Sequence, residues 1–398
     1  MVLSGFFWQI LFGLYLLASL VQLAVWWGVF GQLVFRGSIV KSPIPEIPKC
    51  PVSVLICARN EAENLRRHLP AVLAQQYEGP WELIVVDDAS EDETPVVLQF
   101  FQEKYPDQLR ILQLVEKRSP GKKHALSKGI AAAKYDLLLL TDADCEPASP
   151  SWLSLMAAAL AAGSETEIVL GYGPTRGNLN NEMNLTTFKK LSNFFTIINW
   201  SRYETAFVAA QYFSFALAGM PYMGVGRNLA FKRTIYDRVG GFSTHEHIAS
   251  GDDDLLVNAA ANAKNTVVCL EPESFVYSNA SRNWSAWFRQ KRRHLAAGPA
   301  YLLSHKMALA LIALSHTGHY CLFFILLLAG FAVKIVLGFF ILRLLSVLWI
   351  FGKILRVLQT PGLFFGIPFF DGLLALYYGI VVPWFMIRKK NVEWRRAD

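Results

Sequence analysis

The stretch Leu137-Leu138-Leu139-Leu140-Thr141-Asp142-Ala143-Asp144 decides the fold. Four consecutive leucines read as a strand covered on both faces, the habit of parallel sheets packed under helices. The run then switches to two carboxylates separated by one small residue, which places both where the strand leaves the sheet. In open α/β sheets, ligands gather at that carboxyl end. Paired carboxylates there suit a hard divalent cation, Mg²⁺ or Mn²⁺, that takes its remaining ligands from water and from substrate phosphates. An acidic turn after a strand is also a common solvated feature, so its neighbours matter.

Three earlier segments repeat the pattern of a strand followed by a polar turn. Val52–Cys57 reads as a strand, followed by the turn Ala58-Arg59-Asn60-Glu61 and a helix from about Ala62 to Gln76. Glu82–Val86 is the next strand, ending in Asp87-Asp88-Ala89-Ser90 before a helix from about Thr94 to Tyr105. A short strand over Leu109–Leu114 precedes Pro120-Gly121-Lys122-Lys123-His124 and a helix to about Ala133. Strands alternating with helices predict right-handed βαβ units in a mostly parallel, Rossmann-like sheet. All four turns then converge on one sheet edge. Singly, Asp87 and Asp88 could cap a helix, Glu61 could offset a helix dipole, and Lys122 could be a solvated loop lysine. Together they offer carboxylates for a nucleoside, a lysine for a diphosphate, and a metal site.

The chain has 398 residues and 53% hydrophobic content, and its mean hydropathy is positive. The excess is concentrated at the ends. Phe6–Phe35 carries no charge and exceeds the roughly 20 residues needed to cross a bilayer, so residues 1–37 read as an uncleaved anchor. Three further apolar blocks lie at about Met307–Val333, Ile335–Phe351 and Leu363–Ile387, within a second membrane region at 306–390. Residues 38–305 carry nearly all the charge and read as one water-facing domain; 391–398 form a basic tail. Arg36, Lys41 and Lys49, then Arg289 and Lys291 to Arg293, then Arg388 to Lys390 with Arg395 and Arg396, place that domain in the cytoplasm of an inner or plasma membrane by the positive-inside rule. Three C-terminal crossings would leave the last basic cluster outside. One block is therefore expected to be interfacial or re-entrant: the last, interrupted by Pro361, Pro368, Asp371 and Pro383, or the middle one, which contains Arg343. These flanking clusters account for the net charge of +7 without nucleic-acid binding. Five cysteines without paired spacing read as free thiols and give no zinc site.

The same residues resemble family 2 of the inverting glycosyltransferases, which have the GT-A fold and include membrane-bound cellulose, chitin and hyaluronan synthases. The resemblance runs in order through Ala58-Arg59-Asn60-Glu61, Val86–Ser90, Gly121-Lys122, Thr141–Asp144, Gly224–Arg233, Gly240-Gly241-Phe242, Gly251–Leu256 and Gln290–His294, over about Val52–Leu295. It implies that Asp87 or Asp88 contacts the nucleoside, with Ala58, Arg59 and Glu61 lining that pocket. It also implies that Asp144, with Asp142 nearby, binds metal and diphosphate, and that the Asp252–Asp254 triplet supplies the catalytic base. Aligning Leu255 favours Asp252 as base and aligning Leu256 favours Asp253; Asp253 is preferred here. A general base of this kind takes the hydroxyl proton of the acceptor as its oxygen attacks the anomeric carbon. Gln290 and Arg293 match the Gln-x-x-Arg-Trp element of processive synthases, but His294 replaces the tryptophan that stacks on acceptor sugar.

The expectation is a membrane-bound, metal-dependent, non-processive transferase that moves a sugar from a nucleotide-diphosphate donor to a lipid-linked or polysaccharide acceptor. A processive synthase, a catalytically inactive glycan- or nucleotide-binding scaffold and a sugar nucleotidyltransferase are the competing readings. Leu185–Met223, rich in aromatics including Phe194 and Phe195, is expected to pack in the core with some membrane contact. Gly224-Val225-Gly226 is expected to let the backbone approach donor or acceptor closely.

Overall fold

The computed structural model describes residues 2–37, 49–118, 121–177 and 196–387. Contacts divide the chain into two units, one built from its two ends up to Arg36 and from Leu302, the other between them.

The central unit is an α/β fold. Its seven-stranded sheet has the order β3-β2-β1-β4-β8-β6-β9, with β1 Val52–Ala58, β2 Trp81–Asp87, β3 Leu109–Gln113, β4 Leu137–Asp142, β6 Ile168–Leu170, β8 Leu229–Lys232 and β9 Thr266–Val268. The sheet is mixed but mostly parallel, because β8 alone among these strands runs antiparallel to its neighbours β4 and β6. Continuous apolar runs followed by polar turns revealed the first four strands; β6, β8 and β9, at three or four residues, are too short to stand out.

Helices cover both faces, which is why β1 is apolar at nearly every position. Ala62–Leu73 buries Leu65, Leu69 and Val72 at helical spacing. It stops at Leu73 rather than Gln76, where Gln75 turns to donate from Nε2 to Ser149 O at 2.9 Å. Thr94–Lys104 begins with Pro95 in its first turn, where a missing N–H costs nothing. Trp152–Ala161 sends Trp152, Leu153, Met156 and Leu160 into the same core.

A small second sheet, β5-β10-β7, joins Glu146–Pro147, Val276–Asn279 and Thr175–Arg176. The 21-residue helix Ile197–Leu217 buries Trp200, Tyr203, Phe207, Tyr212, Phe213 and Phe215. Core packing therefore accounts for the described aromatics of this region, while Phe194 and Phe195 lie outside the described residues.

The second unit is helical. Among the described residues, four segments, Gly5–Arg36, Leu303–Leu328, Val333–Val357 and Pro361–Ile387, are long and apolar enough to cross a membrane. The last is broken by a 3₁₀ turn at Pro361–Gly366 and a π turn at Tyr377–Val381. Arg343 and Asp371, which the sequence reading counts against spanning, form an ion pair and are almost fully buried. Gln22 accepts from Arg343 Nη2 at 3.0 Å and Tyr320 donates to Asp371 at 2.7 Å, so one polar cluster ties all four segments together. Lys41, the 388–390 cluster and the 391–398 tail lie outside the described residues.

Candidate active site

Strand register builds the site. Asp87 at the end of β2 lies beside Ala58 at the end of β1, and Asp142 at the end of β4 lies beside Cys57. All three turns therefore open on the same edge, as expected for parallel strands.

The turns after β1 and β2 lock together. Asp88 N–H donates to Ala58 O at 2.8 Å, Asn60 N–H to Ser90 Oγ at 3.0 Å, and Glu91 N–H to Asn60 Oδ1 at 2.8 Å. Asn60 and Ala89 both adopt positive φ, 56° and 55°. Asparagine tolerates this conformation; alanine holds it only where its surroundings impose it. Asp87 accepts from Ser90 N–H at 3.0 Å, and the buried Asp88 pairs with Lys117 at 3.1 Å. Arg59 pairs with Glu91 at 3.4 Å, and Glu61 accepts from Asn64. Ala58 is fully buried and contributes backbone.

The centre of the site is Lys122, at the start of the Lys123–Ala132 helix. Its Nζ lies 2.7 Å from Asp142 Oδ1 and 3.1 Å from Asp252 Oδ2. Burial alone would lower its pKa, but Asp142, Asp252 and Asp253 outweigh burial and hold it well above the ordinary lysine value. Burial likewise works to raise Asp142; Lys122, then Arg227 and Arg293, overcome it and keep this carboxyl below its ordinary value.

Asp142, Asp144 and Cys145 present possible ligand atoms within 4.8 Å of one another. Asp144 is exposed, while Cys145 is buried and donates to Asp144 at 3.3 Å. Burial, then Asp144 and Asp142, push the Cys145 thiol well above its ordinary value. The usable donors are thus carboxylate oxygens, which fit a hard divalent cation.

The three acids of the triplet have different surroundings. Asp252 is buried against Lys122. Asp253, partly accessible, accepts from Gly226 N–H at 2.5 Å and caps the Asp254–Ala260 helix through Asp254 N–H at 2.8 Å. Burial and then Asp252 raise Asp253 to about 6. Asp254 is buried and accepts from Tyr301 at 2.7 Å; burial and then Asp253 raise it to about 8. Within the glycine segment, Gly226 packs against Asp253 and Lys122: an added Cβ would lie 3.1 and 3.3 Å from their side chains.

Gln290, Arg293 and His294 lie on the Trp284–Leu295 helix. Gln290 Oε1 accepts from Ser281 at 3.4 Å, and Arg293 O accepts from Ser250 at 2.8 Å. The His294 ring reaches solvent. Even so, crowding by protein, then Lys291, Arg293, Arg227 and Lys122, hold it well below the ordinary histidine value. Neighbouring Lys291 pairs with Glu204 at 2.5 Å and fixes this helix to Ile197–Leu217.

Sequence reasoning missed Arg227 and Lys123. Arg227 donates to Ser278 Oγ at 2.6 Å, and its stem fills the space that a side chain at Gly173 would need. Only its place beside Gly226, within a stretch already singled out, pointed to it.

A mostly parallel sheet with acidic turns along one edge fits the GT-A type of fold. Comparison with known proteins agrees. A family model described as glycosyl transferase family 2 matches residues 53–217, and one described as glycosyl transferase family group 2 matches 191–387. Together the two models match residues 53–387, and the chain belongs to glycosyltransferase family 2. It is 26% identical over 259 residues to the probable glycosyltransferase YdaM of Bacillus subtilis, covering 65% of this chain and 57% of that protein. It is 31% identical over 137 residues to a poly-beta-1,6-N-acetyl-D-glucosamine synthase of Staphylococcus aureus, covering 33% of this chain and 32% of that one. The chain thus spans less than two thirds of the curated relatives' length. The fold is similar to that of the mannosyltransferase PcManGT from Pyrobaculum calidifontis, solved in complex with GDP-Man and Mn²⁺, at TM-score 0.52 and 19% identity over 87% of this chain and 98% of that one.

Proposed function

We propose that this enzyme transfers one sugar, with inversion, from a nucleotide-diphosphate donor to a lipid-linked or glycan acceptor at the cytoplasmic face of a membrane. The observation that carries the reading is Lys122 bridging Asp142 and Asp252, because it joins the acidic strand end to the acidic triplet in one reaction centre.

Asp253 acts as general base. It is partly accessible, its carboxylate is oriented by two backbone N–H groups, and a value of about 6 suits proton transfer near neutral pH. The acceptor oxygen attacks the anomeric carbon as Asp253 takes its proton, and the bond from that carbon to the diphosphate breaks. A single displacement inverts the centre. Lys122, Arg227 and Arg293 face the charge that develops on the departing diphosphate. Asp144, with Asp142, would hold Mg²⁺ or Mn²⁺, which when bound neutralises diphosphate charge. Asp87, Asp88, Arg59 and Glu61 surround the nucleoside end, and His294, uncharged, presents a small face to an acceptor sugar beside Gln290. The four apolar segments would anchor residues 38–305 at the bilayer.

The test is a screen of GDP-mannose, UDP-glucose and UDP-N-acetylglucosamine with the detergent-solubilised chain, with and without Mn²⁺ or Mg²⁺. Metal-dependent turnover of one donor is expected, and Asp144→Asn should remove it without lowering the melting temperature. A fully active Asp144→Asn would eliminate the metal assignment. The staphylococcal relative, whose name is that of a polymer synthase, favours a processive alternative; product length decides, with single additions expected.

A further inference from the structure

Lys123 takes no part in the chemistry above, yet it is 1% exposed. Its ammonium has three donors, and all three are used on backbone carbonyls of one segment. Nζ donates to His245 O at 2.7 Å, Ile248 O at 2.8 Å and Ser250 O at 2.6 Å. A buried charge is tolerated only when hydrogen-bonded or paired, and here three carbonyl dipoles supply that compensation. Burial prevails and holds the Lys123 ammonium below the ordinary lysine value, against the opposing field of Asp252, Asp254 and Asp253.

The segment so held runs into the acidic triplet. It ends at Gly251, whose φ of +94° is a backbone turn favouring glycine, and Asp252 follows at once. Other ties converge on it. His245 Nε2 lies 3.0 Å from Gly251 O, and Ser250 Oγ donates to Arg293 O at 2.8 Å. Gly121 packs so tightly that a Cβ would sit 2.3 Å from Ala249 O. Three consecutive residues therefore hold one strap: Gly121 touches Ala249, Lys122 pairs with Asp252, and Lys123 binds the carbonyls of 245, 248 and 250.

We propose that Lys123 is a positioning residue, pinning His245–Gly251 so that the acidic triplet stands at its working distance from Asp142 and Lys122. This rests on the proposed role of the triplet as base. The ammonium is compact enough for three converging carbonyls to surround it; a guanidinium spreads its donors in a planar fork and cannot reproduce that arrangement.

The test uses the full chain in detergent as wild type, Lys123→Met and Lys123→Arg. Two readouts are taken: steady-state kinetics with whichever of the three nucleotide sugars turns over with Mn²⁺, and hydrogen exchange across residues 245–254. For Lys123→Met, kcat should fall about 100-fold, as for a misplaced catalytic group, while the donor KM changes by less than about threefold, because no donor contact is removed. Exchange should accelerate in 245–254 and not in β1 to β4. Lys123→Arg should fall between the two. Wild-type kcat and exchange in Lys123→Met would overturn the proposal, as would a raised donor KM at unchanged kcat. If Lys123→Met does not fold, Lys123→Arg decides: reduced kcat with faster local exchange supports pinning, and wild-type behaviour refutes it. If no donor turns over in the wild type, the proposed function fails while the exchange comparison still decides whether Lys123 pins the strap.

Discussion

Asp252 and Asp253 differ in what already holds them. Asp252 is committed to Lys122, whereas Asp253 keeps an accessible face and two backbone donors. Asp253→Asn should therefore lower kcat by about 10²- to 10⁴-fold, the range for a lost general base, and Asp252→Asn by less. A larger loss in Asp252→Asn would reverse the assignment. With Asp253 at about 6, kcat should decline as pH drops through that value and the base becomes protonated. Asp254, at about 8, makes a separate prediction about stability. Both carboxyls are raised above their unfolded values, so the folded chain binds more protons than the unfolded one. Their contribution is complete at low pH and lost as pH rises through the folded values. The melting temperature of the metal-free chain should accordingly fall between pH 5 and pH 8.5, conditions bracketing the two cited values. Asp254→Asn should flatten that slope; an unchanged slope would show that other groups control it.

Among elements, the turn into the Lys123–Ala132 helix is the most constrained. Gly121 has no room for a side chain because the obstacle, Ala249 O, is backbone. Gly121→Ala should lower stability by about 1–3 kcal/mol, the usual range for overpacking, read as a lower melting temperature. No change would mean that the strap yields freely, contrary to its many ties. The Trp284–Leu295 helix is fixed differently. Its Gln-x-x-Arg spacing was plain in the sequence, but the Lys291–Glu204 pair that anchors it joins two helices that no local pattern connects.

Within the helical unit, the Arg343–Asp371 pair decides how strongly the four apolar segments hold together. Arg343→Met leaves Asp371 buried without its cation and should cost about 3–5 kcal/mol, as for other broken buried pairs. Replacing both, Arg343→Met with Asp371→Leu, should recover much of that loss, since two apolar residues leave no uncompensated charge. Thermal unfolding in detergent, followed by tryptophan fluorescence, measures both. A double variant as unstable as the single one would show that Gln22 and Tyr320 depend on the pair.

Much of this architecture was legible in the chain itself. Runs such as Leu137–Leu140 and Leu83–Val86 dictate strands because a covered parallel strand must be apolar on both faces. Polar turns after such strands must share an edge once the strands are parallel, so Asp87, Asp142 and Lys122 could be grouped in advance. Uninterrupted apolar stretches likewise announced the long helices. What the chain could not announce were pairings between distant positions. Lys122 and Asp252, Lys123 and the carbonyls of 245–250, Asp254 and Tyr301, and Arg343 and Asp371 meet because crossovers and helix packing bring them together. Periodicity reports which face of an element is apolar; it carries no information on which partner a buried charge will find. Folding supplies that partner, and with it the difference between three adjacent aspartates that look alike in sequence.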